Sequence, residues 1–163
     1  MSNFKYCNET TKSHGLAKSY SNCIELLSNV SENEGAKSNP FSDEECLNMD
    51  KVENILARKE KRDARKTMDI SFGVADGKNK CYVLCEYRLN YNNPNNLSKS
   101  ELDAKLSNTK NLLGTELTIH KFYYFVFAHN IKQQAIHSLR RLYQNKSNMV
   151  ALELADLKDI FFT

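Results

Sequence analysis

The sequence predicts an α/β protein with a mixed central β-sheet flanked by helices. Three observations carry that reading. In residues 66–89, two runs rich in β-branched and aromatic residues flank Asp76-Gly77-Lys78-Asn79, a turn signal that makes the stretch a β-hairpin. Residues 122–128 (Phe-Tyr-Tyr-Phe-Val-Phe-Ala) form a continuous apolar run, the pattern of a strand buried on both faces. Elsewhere apolar residues recur at three- and four-residue intervals, the period of amphipathic helices.

Taken in order, residues 1–14 are polar, lack periodicity and read as loose. Leu16, Tyr20, Cys23, Ile24 and Leu27 share one helical face and predict a helix over 15–30, followed by a loop over 31–40. This gives an N-terminal extension, 1–41, with one amphipathic helix. An α/β core follows over 42–163, within a single compact domain. Ser42 and Glu45 have capping-box spacing and open a helix in which Cys46, Met49, Val52 and Leu56 line one face. Asp50 and Glu53 form a second capping box that would divide it. Glu53 lies beside the apolar stripe, where a carboxylate either caps the helix or points into a site.

In the hairpin, pairing Asp76 with Asn79 puts Met68, Ile70, Phe72 and Val74 on one face with Tyr87, Cys85, Val83 and Cys81. The other face carries Asp69 directly opposite Glu86, with Arg88 one step beyond. A shorter loop at Asp76-Gly77 makes the two carboxylates diagonal neighbours, still on the same face. Opposed carboxylates stand roughly 4.5–5.5 Å apart at Cβ and repel. A hard divalent cation, Mg²⁺ or Mn²⁺, would offset that repulsion. A solvated face with Arg88 screening Asp69 would offset it too, and such faces are common.

After an asparagine-rich loop over 90–96, Ser98 and Glu101 cap a helix buried through Leu102, Leu106 and Leu113 and ended by Gly114. Lys105, Asn108 and Lys110 ride on it. The aromatic run is the next strand; a base-stacking platform fits it less well, because both of its faces are apolar. Asn130 caps a helix buried through Ile131, Ala135, Leu139 and Leu142, with Arg140, Arg141 and Lys146 at its basic end. A short strand over 149–154 and a helix or tail over 156–162 complete the chain.

Composition excludes several classes. The 163 residues are 40% hydrophobic and 26% charged, enough for a real core. No apolar run approaches the roughly 20 residues of a membrane helix, and the first residues lack an apolar signal region. The expected location is therefore cytoplasmic, with no membrane partner. Five cysteines include no C-x-x-C pair. Cys81 and Cys85 on one strand stand about 13 Å apart, too far for a disulfide or a shared zinc. Histidines at 14, 120, 129 and 137 have no paired spacing, and neither G-x-S-x-G nor a P-loop is present. The net charge of +3 is uneven: 51–66 is basic, with Arg58, Lys59, Lys61, Arg62, Arg65 and Lys66 close together. Such a segment meets phosphate or simply solvates a helix face.

The order helix, hairpin, helix, strand, helix, strand resembles the PD-(D/E)XK nuclease superfamily, the restriction-endonuclease-like fold. Asp69 matches its second-strand aspartate. Glu86-Tyr87-Arg88 matches its E-x-K, with arginine at the lysine position, and Glu53 matches its first-helix glutamate. The match spans roughly 42–154, with no first meander strand identified between Glu53 and Asp69. The resemblance implies phosphodiester hydrolysis of DNA or RNA with Mg²⁺ or Mn²⁺ held by Asp69, Glu86 and the Tyr87 carbonyl. It implies catalytic roles for Asp69, Glu86, Arg88 and Glu53. Arg62, Arg65 and Lys105 are the candidate nucleic-acid contacts. The alternative it implies is a catalytically inactive member that binds a protein or nucleic-acid partner.

Overall fold

Asp76 and Asn79 close the turn of the central hairpin, and the register follows from them: Ile70 pairs with Cys85, Phe72 with Val83 and Val74 with Cys81. These strands are β4 (Ile70–Asp76) and β5 (Asn79–Arg88) in a computed structural model that describes residues 3–144 and 148–163. Lys146, expected at a basic helix end, lies outside the described residues. Gly77, at φ 59°, supplies the left-handed backbone this tight turn requires.

The described residues form a mixed seven-stranded sheet. Before β4 come β1 (Lys5–Tyr6), β2 (Ile24–Leu26) and β3 (Glu45–Asn48); after β5 come β6 (Thr118–Phe127) and β7 (Met149–Leu152). The order is β2-β3-β4-β5-β6-β7, with β1 also paired to β4. Pairing is antiparallel from β2 to β5 and parallel from β5 through β6 to β7. Parallel neighbours need crossovers, and helices α5 (Lys99–Leu113) and α6 (Lys132–Leu142) supply them.

Both faces of the sheet are covered. On one, Ile70, Phe72, Val83, Cys85, Tyr124 and Val126 pack against α3 (Leu27–Asn33) and α7 (Leu154–Phe161). On the other, Tyr82, Leu84, Phe125 and Phe127 pack beneath α4 (Met49–Glu60), α5 and α6. The solvated second hairpin face is therefore overturned: Asp69, Glu86 and Arg88 are 8%, 1% and 9% exposed. Met68 also departs from expectation. It precedes β4 and joins the second cluster, away from Ile70.

The N-terminal third differs most from its sequence reading. Instead of a loose tail and one helix over 15–30, it holds β1, α1 (Asn8–Ser13), α2 (Gly15–Ser19), a 3-10 turn, β2 and α3. It is no separate extension, because β1 and β2 add strands to the sheet. Thr10 and Thr11 of α1 are fully buried on Gly73, whose N–H donates to Thr11 Oγ1 at 2.8 Å. The Ser42 capping box fails as well. Glu45–Asn48 is strand β3, and Asn48 caps α4 by accepting the Lys51 N–H at 3.1 Å, so neither proposed box starts the helix. Downstream, Ser98 caps α5 and Gly114 ends it as expected. Asn130 caps nothing: it lies in a 3-10 turn, His129–Ile131, ahead of α6. All five cysteines are free, and Cys23, Cys46, Cys81 and Cys85 are buried.

Candidate active site

The site lies where β4 begins and β5 ends, at the carboxyl end of the parallel strands. Crevices at that end of an α/β sheet are where ligands bind. Asp69 stands one residue before β4. Its Oδ2 accepts the Tyr87 backbone N–H at 2.7 Å, and its carbonyl accepts the Met49 N–H at 3.0 Å. Asp69 therefore joins the start of α4 to the end of β5. The Tyr87 side chain points to the opposite face, where its hydroxyl meets Ser31 Oγ at 2.8 Å.

Glu86, two residues beyond Leu84 on the same face, is held by two cations. Its Oε2 accepts from Lys105 Nζ at 2.7 Å and from Arg88 Nη2 at 2.9 Å. Its Oε1 is buried and has no hydrogen-bond partner. Arg88 also reaches Glu101 Oε1 at 3.4 Å and the Tyr91 hydroxyl, and its guanidinium lies 4.9 Å from the Tyr91 ring centre. Arg88 thus pairs with Glu86 and Glu101 rather than screening Asp69.

Two carboxylates that the sequence does not mark as site residues complete the cluster. Asp50, in the first turn of α4, accepts from Thr67 Oγ1 at 2.8 Å. Glu34 follows the last residue of α3. One oxygen from each of Glu34, Asp50 and Asp69 lies within 4.8 Å of the others. Burial, followed by the Glu86 charge, pushes Asp69 up to about 7. Burial also pushes Asp50 up to about 7; the Thr67 hydrogen bond opposes this and the Asp69 charge adds to it. Glu34 and Glu86 are raised as well, chiefly by burial, with Lys105 pulling both back. Burial works against the charge on Lys105, but Glu86 outweighs it and holds the lysine above its usual range. Four acidic groups and two fixed cations therefore share a largely dehydrated corner, where charges interact strongly.

Glu53 lies apart from this cluster. It is 2% exposed and bidentate to Arg62, at 2.7 Å to Nη1 and 3.0 Å to Nη2, and it accepts the Arg65 N–H at 2.5 Å. The Arg62 hydrogen bonds, more than burial, set its pKa, which lies below the usual carboxylate range. The carboxylate that α4 brings to the site is Asp50. Among the described residues no strand lies between Glu53 and Asp69; β3, which pairs with β4, precedes α4. Of the candidate nucleic-acid contacts, Lys105 is in the site, Arg62 is tied to Glu53 and Glu60, and Arg65 is exposed.

A signal for Asp50 was present in the sequence. Asn48 at N-cap puts Asp50 in the first turn, where the helix dipole favours a carboxylate. Glu34 sits in a stretch that reads only as loop, and nothing local marks it. Beside the cluster, a cleft of about 600 Å³ opens from Gly35 to Tyr91 and His129. No helix among the described residues is long and apolar enough to cross a membrane. No family model, curated protein or solved structure matches this chain.

Proposed function

We propose that this chain is a divalent-metal-dependent nuclease of restriction-endonuclease-like architecture, hydrolysing phosphodiester bonds of DNA or RNA. The observation that carries the proposal is the state of Glu86: buried, with one oxygen on two cations and the other without a hydrogen-bond partner, and with its charge acting on Asp69, which groups with Asp50 and Glu34. A dehydrated group of carboxylates is costly unless a cation joins it. The sheet supports the architecture through the antiparallel series β3-β4-β5 followed by parallel β6. It departs from the family core in one respect, because α4 lies between β3 and β4 rather than ahead of the meander.

The donor set fits a hard divalent ion. Every available ligand is a carboxylate oxygen, with no thiolate or imidazole in the cluster. Asp69 and Glu86 would hold Mg²⁺ or Mn²⁺, with Asp50 or Glu34 completing the set. Bound there, the ion would acidify a water and neutralise a phosphate oxygen. The remaining work belongs to the side chains. Lys105, kept charged by Glu86, faces the negative charge that develops on the phosphate. Arg88 is a fixed cation that orients Glu86 and takes no proton from water. Whichever of Asp50 and Glu34 is not ligating accepts the proton of the attacking water, and a pKa near 7 suits Asp50 to that task.

Calorimetric titration of Mn²⁺ into wild type, Glu86→Gln and Asp69→Asn tests the site, followed by cleavage assays on DNA and RNA. Saturable binding in the wild type, lost in both variants, is expected together with cleavage. Absence of both binding and substrate cleavage would refute the proposal. A second reading, a nuclease-fold module that binds without cleaving, is favoured by one observation. Lys105 and Arg88 both already occupy Glu86 Oε2, so the cluster is partly neutralised without an ion.

A further inference from the structure

Residues 61–69 link α4 to β4, and nearly every backbone step in this link is fastened. Lys61 takes the left-handed conformation at φ 55°, ending the helix, and Arg62 N–H returns to the Ala57 carbonyl at 3.0 Å. Glu53 holds the Arg62 guanidinium and the Arg65 N–H together. Asn108 donates to the Lys66 carbonyl at 2.9 Å, Thr67 to Asp50, and Thr109 Oγ1 accepts the Met68 N–H at 2.8 Å. The clamping residue is buried, while the side chains the link displays are not.

Those displayed side chains are mostly cationic, with Glu60 and Asp63 exposed among them. Arg58, Lys59, Lys61, Arg65 and Lys66 are all exposed. Among the described residues only Lys66 of these forms an ion pair, with Glu101 at a loose 3.9 Å, and the Arg65 charge also acts on Glu53. The same Glu101 touches Arg88, and Thr67 touches Asp50, so the row of cations ends at the carboxylate cluster. A carboxylate site repels a polyanion unless fixed positive charge lies beside it.

We infer that the end of α4 and the Glu53-clamped link together form a phosphate-backbone binding site, displaying Arg58 and Lys59 from the helix and Lys61, Arg65 and Lys66 from the link to the strand that enters the carboxylate cluster. Its ligand is the sugar–phosphate chain of a nucleic acid, and this rests on the nuclease reading for why the site needs one. Arg62 is a positioning residue here and does not contact phosphate. Glu53, matched by motif to a catalytic glutamate, instead shapes the binding surface. Cations carried on a fastened backbone bind better than the same charges on a loose loop, because less ordering entropy is lost on contact.

The test is fluorescence anisotropy with a short labelled duplex DNA, the same sequence as duplex RNA, and each single strand, in EDTA so that nothing is cleaved. The salt slope of binding is read for wild type, for Arg65→Ala with Lys66→Ala, and for Lys78→Ala, an exposed control in the β4–β5 turn. The double variant should lower the slope by about 2, at ~0.9 per phosphate contact, while the control leaves it unchanged. Glu53→Gln keeps every cation and removes one negative charge. Bare charge attraction then requires tighter binding, whereas a clamped site requires weaker binding. Wild-type behaviour of the double variant, or no wild-type binding to any of the probes, overturns the inference; tighter binding by Glu53→Gln overturns the clamp. The two proposals fail separately: binding without cleavage in Mn²⁺ removes only the nuclease reading, and cleavage undiminished in the double variant removes only this one.

Discussion

The Asp69 carboxylate accepts the Tyr87 backbone N–H at 2.7 Å, a side-chain bond placed where the β4–β5 ladder ends. Asp69 therefore has a structural role as well as a chemical one, and two substitutions separate them. Asp69→Asn keeps an oxygen for the Tyr87 N–H and should retain most of the stability while losing Mn²⁺ binding. Asp69→Ala leaves that N–H buried and unpaired, at a cost of about 1–3 kcal/mol. Urea melts and calorimetry on the same two proteins would check this; equal stability of the two variants would contradict the structural role.

Asp50 and Asp69 also set a pH dependence. Both carboxyls are raised to about 7 in the fold, chiefly by burial, against an ordinary value near 4. Between those values the folded protein holds protons that the unfolded chain has released, so stability falls as pH rises from about 4 to about 7 and then levels. One proton taken up on folding corresponds to a slope of ~1.4 kcal/mol per pH unit. Denaturant midpoints across this window should decline for wild type and decline less steeply for Asp50→Asn, which leaves Asp69 raised. Added Mn²⁺ should restore stability most at the alkaline end.

Lys105 and Arg88 share Glu86 but should differ in consequence. Lys105→Ala removes the contact at 2.7 Å and the cation assigned to the phosphate. Cleavage should fall by about 10²-fold or more, the range for loss of a transition-state charge partner. Arg88→Lys keeps a cation near Glu86 but loses the guanidinium contact with the Tyr91 ring and the forked reach to Glu101. It should retain more activity than Lys105→Ala. Single-turnover rates rank the two, and the reverse order would move the phosphate-facing role to Arg88.

Gly73 should tolerate no side chain. A Cβ there would lie 2.4 Å from the Thr11 backbone nitrogen and 2.6 Å from the Thr10 carbonyl carbon. Backbone cannot rotate away as a flexible side chain can, so Gly73→Ala must lift α1 off β4. The expected cost is about 1–3 kcal/mol, with earlier proteolytic cleavage among the first twenty residues. Unchanged proteolysis would argue that α1 is not held there.

The parts legible in the sequence are those whose signals are local and repeated. The hairpin register followed from one turn tetrapeptide and two patterned strands, and α5 followed from Ser98, its leucines and Gly114. Strand β3 was not legible, because four residues carry too little periodicity and its partner Ser71 lies more than twenty positions away. The apparent helix over 15–30 failed because its apolar spacing comes from several short elements that bury those residues in different places. In the candidate site, Asp69, Glu86 and Arg88 are marked by strand alternation and motif, and Lys105 only by its place on the helix that follows the hairpin. Asp50 reads from the sequence as half of a capping box, and Glu34 is recruited only by tertiary packing. Glu53 was singled out because it lies beside an apolar stripe, and that burial is real, but its partner is Arg62.

The five free cysteines make the fold readable by thiol chemistry. Cys46, Cys81 and Cys85 lie in one core cluster and Cys23 in the other, while Cys7 is half-buried. Burial raises the Cys46 and Cys85 thiols well above their usual range and pushes Cys81 up to about 11. An alkylating reagent, which only the thiolate attacks, therefore reacts with these three only when the sheet opens. Cys7 is different, because its sulfur accepts the Thr10 N–H at 3.4 Å and caps α1. Alkylation or oxidation of Cys7 removes the cap of the helix seated on Gly73. Its modification and the opening of the first core layer become successive steps on one labelling time course.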